Sequence, residues 1–98
     1  MAGQIKLTPA ELRTSATKYT KGASDVRTIL SSLDKEQATI RANWSGSSMQ
    51  KFDEQYNSLT PKIKQFAELL DQINKQLVSV ANIIEDTDAK IASQINAL

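Results

Sequence analysis

The sequence contains no cysteine and no histidine, and only three glycines and two prolines among its 98 residues. Without cysteine there is no disulfide framework or thiol chemistry, and without histidine the commonest general base and metal ligand is missing. Long apolar runs are also absent, because pairs such as Leu69-Leu70 and Ile83-Ile84 are far shorter than a membrane span. With no nucleophile beside a base and no glycine-rich phosphate loop, we predict no enzymatic activity, no cofactor and no metal.

Charge of one sign is not in excess either. The 12 basic and 11 acidic residues give a formal net charge of +1, and the lysines and arginines form no stripe with interleaved aromatic residues. Because nucleic-acid-binding domains usually have a basic patch, we expect no nucleic-acid partner. Residues 1–7 contain one lysine and no apolar segment, so they do not resemble a secretory signal peptide. Taken alone, these features indicate a cytosolic protein.

A helix start is strongly marked near the amino terminus. Thr8 can cap the helix, Pro9 suits its first position, and Glu11 can complete a capping box with Thr8. From there apolar residues recur at alternating steps of three and four residues as far as Trp44, with one polar exception. Such a sustained pattern is typical of a coiled-coil seam. We therefore predict a first helix over residues 9–43.

The second half of the sequence has the same apolar pattern. Ser47 can cap a second helix, and Pro61 is the one internal conflict, since proline removes a backbone donor and crowds the preceding turn. The pattern keeps its phase across Pro61, which falls on the solvent side, so we predict a bend and not a break. The pattern weakens toward the carboxyl end. We predict a second helix over about 48–88 and a tail, residues 89–98, that frays.

Between the two helices lies the tripeptide Trp44-Ser45-Gly46. Gly46 can adopt a positive φ at no steric cost, and Trp44 has the largest apolar side chain in the sequence. Two helices joined by so short a turn pack side by side in opposite directions. The sequence therefore predicts an all-α fold, an antiparallel helix-turn-helix hairpin that forms a single domain over residues 1–98.

The apolar stripe is too wide for one hairpin to bury. Two helices touch along one line, whereas Ile29 and Leu69 lie beside that line. Burying the remainder contributes about 25 cal/mol per Å², so we predict that two hairpins associate into a four-helix bundle. The residues predicted to form this dimer and core seam are Leu12, Tyr19, Val26, Ile29, Leu30, Leu33, Ile40, Phe52, Tyr56, Leu59, Ile63, Phe66, Leu70, Ile73 and Leu77.

The length, the two helices, the central Trp44-Ser45-Gly46 and Phe52 in the second helix together resemble the WXG superfamily, the early-secreted-antigen (ESAT-like) type of small type VII secreted proteins. The resemblance covers the whole chain. A second match lies near the carboxyl end, where apolar and acidic residues fit a tail pattern of the family's single-type members. The residues that fit this pattern are Ile84, Asp88, Ile91 and Ile95.

A related tail pattern, in which a tyrosine precedes an acidic residue by four positions, is absent, because the only tyrosines are Tyr19 and Tyr56. The resemblance therefore favours a homodimeric member from a Firmicute-like bacterium. It implies export through a type VII secretion system without a cleaved signal peptide, in place of the cytosolic expectation. It also implies a role as a virulence-associated effector or as an export partner.

The resemblance further implies the partners: a second copy or a related WXG protein, and the secretion ATPase. In an antiparallel dimer the turn of one subunit lies near the tail of the other, so the ATPase would read a signal built from both. The residues implied in this signal are Trp44, Gly46, Ile84, Asp88, Ile91 and Ile95.

Two other functions stay open at this point. The wide apolar stripe could enter a membrane after the dimer dissociates, giving a membrane-active protein, or the chain could be an intracellular coiled-coil adaptor. Glu85, Asp86 and Asp88 form an acidic cluster, but the cluster lacks the downstream glycine and bidentate glutamate of a calcium loop. We interpret it as a solvated helix face.

Overall fold

Residues 6–96 are described by a computed structural model, and they form two antiparallel α-helices. Helix α1 spans Pro9–Asn43 and helix α2 spans Ser47–Asn96. The two helices pack along one side of each other, which makes the molecule a rod of 80 × 22 × 18 Å. The predicted all-α hairpin is confirmed, and no strand occurs in the part of the chain that the structure describes.

The start of α1 follows from its first residues. Thr8 lies just before the helix with extended backbone angles (φ −75°, ψ 160°), and its hydroxyl accepts a hydrogen bond from the Glu11 backbone N–H at 3.1 Å. The same hydroxyl donates to the Glu11 carboxylate at 3.0 Å. These bonds satisfy a backbone donor that the helix itself leaves unpaired.

Helix α2 is not broken at Pro61, which is exposed to solvent inside the helix. At its start, Ser47 is the first helical residue, so Gly46 and not the predicted Ser47 occupies the position before the helix. At its end, α2 continues to Asn96, past the predicted end near Asp88. No glycine or proline follows Pro61, so nothing in the sequence stops the helix there. Residues 97 and 98 of the predicted tail lie outside the described residues.

The helices meet through rows of mostly small side chains at seven-residue intervals, and Leu12 and Met49 are buried near the two ends of the contact. In α1 the buried row is Ala16, Ala23, Leu30 and Gln37, and the matching row of α2 includes Ala67 and Ala81, which are fully buried. Small residues allow two helix backbones to approach closely, but they leave no large side chain fully buried among the described residues.

The packing within one hairpin divides the predicted dimer and core seam. Phe52, Leu59 and Phe66 are 38%, 49% and 53% exposed and lie outside the hairpin's own core, so their place in a dimer interface stays a prediction. Ala67, in the row one position further along the chain, is buried instead, as is Met49. Steps of three and four residues fit both rows of a wide stripe, and the row of smaller side chains is the one that lets the helices pack closely.

Candidate interaction surfaces

One face of the hairpin is polar, and ion pairs cross it from helix to helix. Three arginines of α1 lie fourteen residues apart, so that helical periodicity places them on one side. Arg27 and Arg41 each contact a carboxylate of α2 at 2.6 Å, and Arg13 also donates to the Asn82 side chain at 2.8 Å. We call this the polar face; its ion pairs are Arg13–Glu85, Arg27–Asp71 and Arg41–Asp53.

The polar contacts also define the register of the two helices. Asp53 accepts from the Arg41 guanidinium at 2.7 Å and from the buried Gln37 amide at 3.1 Å. Further along the rod, the Asn74 side chain donates to the backbone carbonyl of Ala16 at 2.7 Å. A shift of one helix along the other would leave these half-buried polar groups without partners, which is costly.

These contacts shift the pKa values of three acidic groups, and they raise the pKa values of Arg13 and Arg41 through the hydrogen bonds to Glu85 and Asp53. Hydrogen bonds from Arg41 and then Gln37 lower the pKa of Asp53, and the hydrogen bond from Arg13 lowers the pKa of Glu85. The Tyr56 hydroxyl donates to Asp34, and because the carboxylate stabilises the protonated phenol it raises the pKa of Tyr56. The lowered pKa values of Asp53 and Glu85 favour the charged form of these two carboxylates.

The opposite face of the hairpin is apolar and largely open to solvent. Leu70 of α2 lies against Gly22 of α1 on this side, where an added Cβ at Gly22 would be 3.6 Å from the Leu70 Cδ1 atom. Eight large apolar side chains, each between 38% and 60% exposed, follow the two helices along it. We call this the apolar face; its members are Tyr19, Ile29, Leu33, Phe52, Leu59, Phe66, Leu69 and Ile83.

The remaining residues of the predicted seam lie closer to the contact between the helices. Leu12 and Leu30 are buried. The others are half-buried. These half-buried residues are Val26, Ile40, Tyr56, Ile63, Leu70, Ile73 and Leu77.

The turn between the helices exposes an aromatic side chain. Trp44 has an extended backbone (φ −135°, ψ 123°) and is 42% exposed. Its ring packs obliquely on Phe52, with ring centres 5.8 Å apart and planes at 41°. Gly46 has a φ of +116°, and its carbonyl accepts from the Gln50 backbone N–H at 3.3 Å. Because no atom lies within 4 Å of an added Cβ, backbone conformation and not space is what requires glycine here.

The predicted tail residues lie at the other end of the rod. Ile84 is half-buried beside α1, whereas Asp88, Ile91 and Ile95 are exposed on the part of α2 that extends beyond the start of α1. At a rise of about 1.5 Å per residue, Asp88 lies about 60 Å from Gly46 along the same helix. One chain therefore does not bring the predicted turn and tail residues together.

The family model that fits this chain is WXG100, described as proteins of 100 residues with WXG, and it matches residues 4–89. The chain belongs to the WXG100 family. An ESAT-6-like protein of Streptococcus agalactiae is 58% identical over 93 residues, covering 95% of this chain and 97% of the relative. A Staphylococcus aureus protein named type VII secretion system extracellular protein A is 38% identical over 89 residues, covering 91% and 92%.

The fold of this WXG100 chain is also seen in a solved structure of another protein. The crystal structure of Geobacillus thermodenitrificans EsxA superposes with a TM-score of 0.81 at 40% identity, covering 91% of this chain and 99% of that one. Within residues 6–96, neither helix is long and apolar enough to cross a membrane. The same residues contain no group of three or more acidic side chains placed to hold a metal ion.

The polar face was not predicted from the sequence. A signal was present, because Arg13, Arg27 and Arg41 recur at two-heptad intervals on one side of α1. The acidic partners, Asp53, Asp71 and Glu85, do not share one strict repeat, so their pairing emerges only from the register of the two helices.

Proposed function

We propose that this WXG100 protein is a non-enzymatic substrate of a type VII secretion system, exported without a cleaved signal peptide, and that it leaves the cell as a folded dimer. The exposed Trp44 at the tip of the hairpin is the observation that supports this most directly. A large apolar side chain left 42% exposed, next to a glycine with positive φ, forms a defined surface for recognition. The Staphylococcus relative bears the name of a type VII extracellular protein, which supports the same route for this chain.

The apolar face supports dimerisation. From the exposed fractions of its eight side chains, we estimate that it offers on the order of 700 Å² of apolar surface per subunit. Stable interfaces bury about 600–1,000 Å² per partner, so the area of this face lies within the range of a specific dimer. A second copy or a related WXG100 chain would cover it, and the ion-paired polar face would stay in water.

An antiparallel dimer would also unite the two halves of the proposed signal. Within one chain Trp44 and Asp88 lie at opposite ends of the rod, about 60 Å apart. When a second hairpin packs in the reverse direction, the tip of each subunit lies beside the overhanging end of α2 from the other. The secretion ATPase would then bind Trp44 and Gly46 of one subunit with Ile84, Asp88, Ile91 and Ile95 of the other.

Export assays test this proposal. The Trp44→Ala and Asp88→Asn variants should fold and dimerise, yet accumulate in the cell pellet and be lost from the culture supernatant. Asp86→Asn is the matched control, because Asp86 is also exposed, lies on the same turn of α2 and is outside the proposed signal. Full secretion of Trp44→Ala as a normal dimer would refute the role of the tip.

A further inference from the structure

Gly22 lies in the middle of α1 although the hairpin itself does not require glycine there. Its φ is negative and helical, unlike that of Gly46, and glycine inside a helix is destabilising relative to alanine. An alanine Cβ would lie 3.6 Å from the Leu70 Cδ1 atom, which is an ordinary van der Waals contact. Neither backbone conformation nor the approach of α2 therefore explains this residue.

The missing side chain opens a notch in the apolar face. Gly22 forms its floor, and Lys18, Tyr19 and Leu70 form its walls. Tyr19 is 38% exposed and Leu70 is half-buried, so the walls are mainly apolar and open to solvent. A notch of this kind between large side chains is the shape that receives a single side chain from a facing helix.

The layout of the apolar face indicates which molecule supplies that side chain. The face extends from Phe52 to Ile83 on α2 and from Tyr19 to Leu33 on α1. The midpoints of the two stretches lie near residue 68 and near residue 26. The Arg27–Asp71 pair shows that these midpoints are at almost the same height on the rod. Because the apolar face has the same midpoint on both helices, a two-fold axis through that midpoint would place the face of one copy fully over the face of a second copy. A two-fold symmetric interface requires this kind of self-complementary surface.

We propose that the notch at Gly22 receives an apolar side chain of a second copy of this chain, supplied by Ile29 or Phe66. Gly22 lies four residues from the midpoint of the α1 stretch, or about 6 Å along the rod. A half-turn about the midpoint relates the two subunits. It places Gly22 of one subunit opposite partner residues that lie about 6 Å from the midpoint on its other side. Ile29 and Phe66 are the members of the apolar face nearest that height, and they are 59% and 53% exposed. The proposal depends on the homodimer proposed above and gives it a specific contact.

The test compares dimer dissociation constants measured by analytical ultracentrifugation. Gly22→Ala should retain or increase helicity, yet raise the Kd roughly tenfold because a side chain now enters a filled space. Gly22→Leu should raise it further. Ser24→Ala is the control, since Ser24 is exposed outside the apolar face and its substitution should leave the Kd unchanged.

Double-mutant cycles then identify the side chain in the notch. Truncation of Ile29 or Phe66 to alanine should weaken the wild-type dimer more than it weakens the Gly22→Ala dimer, for at least one of the two residues. If wild type dimerises and Gly22→Ala leaves the Kd unchanged or lowers it, the notch is refuted while the dimer stands. Strict additivity in both cycles refutes it as well. A wild-type protein that stays monomeric at micromolar concentration refutes the homodimer and the notch together.

Discussion

Phe66 and Ala67 are neighbours in the sequence, and we expect their substitutions to affect different equilibria. Ala67 is fully buried between the helices, whereas Phe66 is 53% exposed on the apolar face. Phe66→Ala should therefore weaken the dimer with little effect on the single hairpin. Ala67→Leu should instead destabilise the hairpin itself, because added methylenes in a packed contact cost about 1–3 kcal/mol.

The expected effect of Phe66→Ala follows from its exposed area. About half of a phenylalanine of roughly 200 Å² remains available for burial in the dimer, which leaves about 100 Å². After subtraction of the roughly 40 Å² that alanine retains, burial of about 60 Å² at about 25 cal/mol per Å² corresponds to about 1.5 kcal/mol per ring. The dimer contains two such rings, so the loss is about 3 kcal/mol, or roughly a hundredfold increase in Kd.

Sedimentation equilibrium over a wide concentration range measures that Kd, and circular dichroism of the same samples reports helicity. Phe66→Ala should sediment as a helical monomer at concentrations where wild type is dimeric. Glu68→Ala is a suitable control, because Glu68 is exposed and lies with Lys64 along the groove that Arg27 of α1 also lines, outside the apolar face. If Phe66→Ala dimerises as tightly as wild type, the apolar face is not the interface.

Three further predictions concern the turn, the polar face and the signal. Gly46→Ala should lower the stability of the hairpin by about 1–3 kcal/mol, because alanine is strained at a φ of +116°, and thermal unfolding of Gly46→Ala against Ser45→Ala measures this. Asp53 and Glu85 have lowered pKa values, so their ion pairs stabilise the folded hairpin fully above the ordinary carboxyl pKa values near 4. This stabilisation is lost as the pH falls through the lowered pKa values. A melting temperature that does not change between pH 7 and pH 2 would contradict this. Co-expression of Trp44→Ala with Asp88→Asn should restore export, since the mixed dimer retains one intact pair of tip and tail, whereas a signal read within one chain would remain defective in both subunits.

Local features of the sequence predicted the architecture well because their physics is local. Thr8, Pro9 and Glu11 define the start of α1 through hydrogen bonds within one turn, and the positive φ at Gly46 follows from the need for a tight turn. Pro61 did not break α2, as its position on the solvent side indicated.

The choice of the buried row was not predictable in the same way. Phe66 and Ala67 belong to adjacent rows of one wide apolar stripe, and hydrophobicity favours the row with the larger side chains. The structure buries the row with Ala67, because close contact between two helices depends on side-chain size as well as polarity. The end of α2 was predicted near Asp88 but lies at Asn96 for a related reason. The apolar pattern weakens after Asp88 because α1 no longer lies opposite this part of α2, whereas the residues that follow still favour a helix.

The absence of any large, fully buried side chain among residues 6–96 has a consequence for the life of the molecule. Alanine contacts and exposed ion pairs supply little free energy, so a solitary hairpin, although helical, should open more often than the dimer and be the better substrate for proteases. Folding and association would then be linked by mass action, and the melting temperature should rise with total protein concentration. If the protein is exported as proposed, dilution outside the cell would limit how long it stays folded, and the rate of subunit dissociation would set that time.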